Sequence, residues 1–220
     1  MGASRKVLRS AKFSIYSLIY TTMNYPIYKT KNHRGLTIEI LFDTEPISPN
    51  EFDLLGTIYS NRSNYNLMGH NLDELFCEND EGDEMLDTDY IFLPIYSYEH
   101  GGIILSTERN GQYCDTFDSG IFGLIATPKW KVQREYGELS DKTVKQCKDE
   151  LSREIGLWND YLQGNIFAYN VKNSEGEIIE SCHGFYGGDE VAMQEAENVA
   201  DFIADKRDKI ESIIDSFWID

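Results

Sequence analysis

The chain has 220 residues, and 38 acidic against 20 basic side chains give it a net charge of −18. Its content of 41% hydrophobic and 13% aromatic residues is enough for a packed core, which excludes the collagen-like and intrinsically disordered classes. The negative charge opposes direct binding to nucleic-acid phosphates. The length suits one large domain or two small ones.

The predicted elements, in chain order, begin with two strands at 25–31 and 36–43 around a turn at His33-Arg34-Gly35. A strand at 55–60 and one helical turn at 72–76 precede an acidic segment at 78–89. Strand pairs follow at 90–98 with 102–107, and at 113–117 with 121–127. The remaining elements are helices at 129–136 and 140–162, a hairpin of strands 166–171 and 178–186, and a helix at 189–218.

Strands joined by short turns are typical of antiparallel sheets, and the helices are gathered late in the chain. The order therefore predicts the α+β class, with an antiparallel sheet built from hairpins, helices on one face and a long acidic C-terminal helix. Apolar positions of that last helix recur at helical spacing, so we expect this stripe to pack on the body. Its members are Ala192, Ala196, Val199, Ile203, Ile210, Ile214 and Phe217.

The first part of the chain differs in charge from the rest. Residues 1–34 carry seven bases and no acid. We expect residues 1–22 to be a basic N-terminal extension, disordered or outside the native product, and residues 23–220 to form a single domain. The apolar run at 13–20 is too short for a membrane span and lacks a signal-peptide cleavage site. The four cysteines form no C-x-x-C pair and are expected to be reduced thiols in the cytoplasm.

One face of the last predicted helix carries a row of acids at helical steps. Neighbours three or four residues apart lie ~5–6 Å from each other, which is close enough to imitate a row of phosphates. The alternative interpretation is a solvated face of an acidic protein. The candidate binding residues of this row are Glu190, Glu197, Asp201, Asp205, Asp208 and Asp215.

The acidic segment at 78–89 is a second candidate binding surface. A calcium loop of the EF-hand type needs glycine at its sixth position, and Gly82 comes too early for that spacing. We therefore assign no metal to it and interpret it either as a mobile acidic loop or as a second piece of the anionic surface. Its candidate binding residues are Glu78, Asp80, Glu81, Asp83, Glu84, Asp87 and Asp89.

A small enzyme with a metal- or nucleotide-binding site is an alternative. His100, Asp115 and Asp118 are the residue types of a metal site or of a general acid–base pair. Cys182 and His100 are the residue types of a catalytic nucleophile and its base. The competing interpretation is structural: a turn at Asp118, and a histidine hydrogen-bonded beside glycines. No established catalytic motif is present, so no catalytic residue and no cofactor is assigned.

Three segments carry a resemblance: 93–102 (LPIYSYEHGG), 115–123 (DTFDSGIFG) and 181–187 (SCHGFYG). They resemble a set of poorly characterised proteins carried by phages and plasmids, although the family pattern has Trp where this chain has Phe117 and His183. The resemblance assigns no catalytic residue. It does imply an origin in a mobile element. Phages and plasmids carry small acidic proteins of the antirestriction and DNA-mimic anti-CRISPR classes, which block host defence. This chain is similar to those classes in charge only.

Charge and resemblance together predict a phage or mobile-element anti-defence protein. Its expected partner is a host defence protein or ribonucleoprotein complex of the CRISPR or restriction type, bound through the acidic surface. We expect no direct contact with nucleic acid or membrane. A further alternative is an accessory protein that oligomerises through a tyrosine-rich surface.

Overall fold

The computed structural model describes residues 26–62, 70–78, 84–109 and 119–217, with only the backbone for residues 84, 85 and 119. The strands in these ranges are β1 (Ile27–His33), β2 (Leu36–Phe42), β3 (Thr57–Tyr59), β4 (Phe76–Glu78), β5 (Glu84–Leu86), β6 (Tyr90–Glu99), β7 (Ile103–Ser106), β8 (Ser119–Pro128), β9 (Phe167–Lys172) and β10 (Ile178–Phe185). The α-helices are α1 (Lys129–Tyr136), α2 (Asp141–Gln163) and α3 (Asp189–Phe217), and 3₁₀ helices cover Pro49–Glu51 and Leu72–Leu75.

The first sheet has the strand order β1-β2-β9-β10, and all its neighbours are antiparallel. Alternate residues of β2 and β9, such as Ile38 and Val171, point to one face, where they are fully buried against α3. The helix meets this face with a row of small residues, among them Ala196 and Ala200, which lets its backbone approach the sheet closely.

The second sheet has the strand order β3-β8-β6-β7 and is covered by α2. Ile95 of β6 and Ile125 of β8 are fully buried in the same cluster as Leu151 and Trp158 of α2. α2 begins with a capping box in which Ser140 and Thr143 each bond the other's backbone amide. It ends at Gly164, whose left-handed conformation (φ 69°) provides the C-cap.

The α+β class and the long C-terminal helix are confirmed, and eight of the ten described strands are divided between two four-stranded sheets, one packed against α3 and the other against α2. Strands also form inside the acidic segment, where β4 and β5 pair as a hairpin that the sequence did not predict. The predicted strand at 113–117 lies outside the described residues. Within the ranges described, no helix has the length and apolar character to cross a membrane.

A buried carboxylate, Asp43, ties the end of β2 to the end of β10. Its two side-chain oxygens accept hydrogen bonds from the amides of Glu45 and Gly184, both at 3.0 Å. Its own amide donates to the carbonyl of Ile166 at 2.8 Å. Because each acceptor oxygen has a donor, this polar side chain is buried at little cost.

Candidate functional site

The acidic face of α3 lies alongside the basic edge strand β1. Lys29 Nζ is 3.2 Å from Asp189 Oδ2 near the start of the helix, and Lys31 pairs with Glu197 two turns later. His33 Nε2 is 2.8 Å from Asp201 Oδ1 at the end of the strand. Strand and helix therefore run in the same direction, joined by successive charged contacts.

Arg34 at the tip of the β1–β2 hairpin closes this series. Its Nη1 is 2.6 Å from Asp205 Oδ1 and 3.5 Å from Asp201 Oδ1, and its Nη2 is 2.8 Å from Asp208 Oδ2. One guanidinium is thus shared by three carboxylates on consecutive turns of α3. The hairpin turn presents it there: Arg34 and Gly35 both have positive φ (49° and 80°), as a two-residue hairpin turn of this kind requires.

The electrostatic consequences follow from these contacts. The hydrogen bond to Asp205 raises the pKa of Arg34, and the hydrogen bond to His33 lowers the pKa of Asp201. We call the paired carboxylates the α3 acidic ridge. It consists of Asp189, Glu197, Asp201, Asp205 and Asp208. Lys29, Lys31 and Arg34 compensate part of this charge, so the predicted row of phosphate-like groups is partly neutralised within the fold.

The other predicted binding acids have different surroundings. Glu190 and Asp215 on α3 are exposed, as is Glu78 on β4. Asp87 has a structural role, because its Oδ1 accepts the amide of Asp89 at 2.8 Å and so shapes the turn before β6. Asp80, Glu81 and Asp83 lie outside the described residues, as does the side chain of Glu84.

The residues of the alternative catalytic site are not brought together in the described part of the chain. His100 follows β6 in the second sheet, with its ring centroid 6.2 Å from that of Tyr98, whereas Cys182 lies on β10 of the first sheet. Desolvation raises the pKa of the Cys182 thiol, which disfavours the thiolate that a nucleophile needs. Asp115 and Asp118 lie outside the described residues.

No metal centre forms among the described residues: these ranges contain no group of three His, Cys, Asp or Glu side chains able to hold an ion. A cavity of about 200 Å³ opens between the 3₁₀ helix Pro49–Glu51 and the second sheet, with Asp53, His70, Lys131 and Trp158 in its wall. The ammonium of Lys131 is engaged there, since it donates to the carbonyl of Leu54.

Sequence reasoning missed the buried carboxyl group of Glu154. It is 4% exposed and accepts the amides of Leu55 and Gly56 at 2.6 and 2.8 Å. Burial raises its pKa to about 7, against the opposing effect of the two amides. The sequence does indicate that Glu154 is buried, because Glu154 lies on the same face of α2 as Leu151 and Trp158. A charged residue among buried positions of a helix usually has a specific partner.

The C-terminal part of α3 departs from the predicted packing. Ala192 and Ala196 are buried and Val199 and Ile203 are partly buried, as the stripe predicts. In contrast, every residue from 205 to 217 is exposed, including Ile210 at 57% and Phe217 at 78%. The sheet ends before the helix does, so the prediction that the whole stripe packs on the body is wrong for its last two turns.

We expect Arg34→Asn to loosen the hairpin without breaking its turn, because asparagine tolerates positive φ but cannot bridge the carboxylates. Amide hydrogen exchange at the tip of β1–β2 should become faster in dilute buffer. The difference from wild type should shrink at about 1 M NaCl, where the Debye length is ~3 Å. Arg153→Asn, which removes an exposed pair with Glu150 on α2, should leave this hairpin unchanged; equal acceleration by both would contradict the assignment.

Comparison with known proteins identifies no relative of this chain. No protein-family model, no curated protein and no solved structure matches the chain.

Proposed function

We propose that this protein is an anti-defence protein of a phage or other mobile element, acting in the cytoplasm of a bacterial cell. It inhibits a nucleic-acid-handling immune complex of the CRISPR or restriction type by occupying that complex's basic cleft with the acidic face of α3. The α3 acidic ridge is the observation that carries the proposal, and the net charge of −18 and the resemblance to mobile-element proteins support it.

The dimensions of the helix suit this role. From Glu190 to Asp215 an α-helix rises ~37 Å at 1.5 Å per residue, close to one ~34–36 Å turn of duplex DNA. Both end residues are exposed, and four of the five ridge acids lie between them: Glu197, Asp201, Asp205 and Asp208. A partner cleft built for one turn of duplex would therefore find carboxylates along a comparable length.

The internal ion pairs tune this surface without abolishing its charge. Five ridge carboxylates face four permanently charged cations, Lys29, Lys31, Arg34 and Arg207, so the ridge keeps an anionic surplus. Exposed ion pairs are weak and exchange readily with competing charges. A basic cleft can thus take over carboxylates that Arg34 holds in the free protein, while the net charge of the whole chain accelerates the encounter.

The test uses variants with opposite expected effects on binding. Tagged protein is used to capture complexes from the bacterial host, and bound DNA- or RNA-handling proteins are identified and competed with duplex DNA. Replacing Asp201, Asp205 and Asp208 with Asn should reduce capture about tenfold or more at low salt, since three charges are lost. Arg34→Asn should increase capture a few-fold, because it exposes the same carboxylates.

The matched control removes three acids from the other half of the molecule: Glu135→Gln, Glu138→Gln and Asp149→Asn on and around α1 and α2. This control removes as many negative charges as the ridge variant does, and it should leave capture close to that of wild type. If the control loses as much capture as the ridge variant, the overall charge of the protein, rather than the α3 acidic ridge, determines capture. Unchanged capture by both the ridge variant and Arg34→Asn would refute this interface.

A further inference from the structure

The free end of α3 is a helix without a neighbour in the described part of the chain. Arg207 and Asp208 are the last helix residues with a contact to the hairpin, through the backbone and side chain of Arg34. The following residues, 209–217, extend ~13 Å further at 1.5 Å per residue. All of them are exposed.

This end carries large apolar side chains on one side. Ile210, Ile213, Ile214 and Phe217 follow each other at steps of three, one and three residues and are 57%, 46%, 49% and 78% exposed. We call these four residues with Phe202, which is 59% exposed, the α3 apolar stripe. β-Branched and aromatic residues are weak helix formers, and short helices without packing are marginal in water. The stripe therefore indicates a helix that packs against another surface.

We infer that the α3 apolar stripe is covered by a second copy of this chain, with the two helix ends packed antiparallel. With ~150–250 Å² for each buried aromatic side chain and somewhat less for isoleucine, the stripe exposes roughly 500 Å² per chain. Covering all of it in both copies buries about 1,000 Å², the size at which specific protein interfaces begin. No further element is needed to form a dimer of modest affinity.

The distribution of charge on the helix end fits the antiparallel arrangement. The bases Lys206, Arg207 and Lys209 precede Ile210 and outnumber the two acids in that stretch, Asp205 and Asp208, which pair with Arg34. All charged residues after Ile210 are acids: Glu211, Asp215 and Asp220. Antiparallel packing places the basic half of one copy beside the acidic half and the negative helix C-terminus of the other. Parallel packing would place like charges together.

The same geometry leaves the acidic face accessible. Asp201, Asp208 and Asp215 recur every seven residues. At 100° per residue they lie on the side of α3 opposite Ile210 and Phe217. The dimer therefore keeps the α3 acidic ridge of both copies exposed. The inference rests on apolar area and charge order, and it holds whether or not the proposed function is correct.

The test is the molar mass of the purified full-length protein by light scattering and sedimentation across about 1–100 μM, which brackets micromolar dissociation constants. Wild type should approach twice the chain mass of 25.3 kDa. Ile210→Glu with Ile213→Glu should weaken the dimer at least ~100-fold, because unpaired charges would be buried. Both positions are exposed in the single chain, so its circular dichroism should keep the features of a folded sheet.

The control is Ile121→Glu, which places the same charge at a 69%-exposed isoleucine of β8 and should leave the dimer intact. Orientation is tested by charge reversal. Lys206→Glu with Lys209→Glu, and separately Glu211→Lys with Asp215→Lys, should each weaken the homodimer, and mixing the two variants should restore dimers. A monomeric wild type at 100 μM, or a dimer unaffected by the isoleucine pair, would overturn the inference; no recovery on mixing would overturn the antiparallel arrangement.

Discussion

Gly123→Ala is expected to destabilise the protein by roughly 3 kcal/mol or more, a large part of the ~5–15 kcal/mol that holds a typical domain together. A β-carbon at this position of β8 would lie 2.1 Å from the carbonyl oxygen of Tyr59 and 3.1 Å from the β-carbon of Ser60. Tyr59 is the last residue of β3, which pairs with β8, and Ser60 follows it, so relief of the clash requires the two strands to separate.

The measurement is the midpoint of urea unfolding compared with that of Gly156→Ala. Gly156 lies in α2, where an added β-carbon meets nothing within 4 Å, so alanine there should stabilise by ~0.5–1 kcal/mol through helix propensity. The pair separates steric contact from the general effect of replacing glycine. Near-equal midpoints for the two variants would show that β3 and β8 do not approach each other as closely as described.

Glu154→Gln should lower the free energy of unfolding by about 1–3 kcal/mol near neutral pH. The carboxyl group offers one acceptor oxygen to the amide of Leu55 and the other to that of Gly56. A glutamine side chain of the same shape has only one oxygen, so its NH₂ group would face a backbone N–H and leave that donor buried without a partner.

The stability contribution of Glu154 should also depend on pH. Burial raises the pKa of Glu154 to about 7 from the ordinary glutamate value of 4.5, so between these two pH values the folded protein holds a proton that the unfolded chain has lost. The resulting stabilisation is complete below about pH 4.5 and is lost as pH rises to about 7. A shift of this size corresponds to about 3 kcal/mol.

The check is the difference in unfolding free energy between wild type and Glu154→Gln at several pH values. This difference cancels most contributions from the other acids, and it should grow as pH falls from about 8 to about 5. A difference that grows in the opposite direction would show that the two amide donors outweigh desolvation and that the carboxylate is the favoured form.

Several local features were correctly predicted because short-range rules decide them. The turn at His33-Arg34-Gly35, the start of α2 at Ser140 and its end near residue 162 follow from residue preferences for positive φ and for helix caps. Leu151, Ile155 and Trp158 recur at steps of four and three residues, which is the helical spacing of a single face, and they form the buried face of α2. None of these predictions needed information about distant parts of the chain.

The candidate site was predicted only in part. The sequence showed a basic N-terminal region and an acidic last helix, and we interpreted them separately. Residues 1–22 were expected to be an extension, Lys31 and Arg34 to lie in a strand and its turn, and the helix to be a binding surface. The structure brings Lys31 and Arg34 onto that helix, although these partners lie more than 160 residues apart. No periodicity or spacing rule connects charges at such separations.

The sequence alone therefore determined most of the secondary structure outside the acidic segment, the α+β class and the position of the acids on one face of α3, since these depend on neighbours within a few residues. The tertiary structure decided how the strands divide into two sheets, which carboxylates Arg34 shares, and why Glu154 is buried. It also decided that α3 extends beyond the end of its sheet, which leaves Ile210 and Phe217 exposed. The physical reason is that burial and ion pairing depend on which distant segments meet.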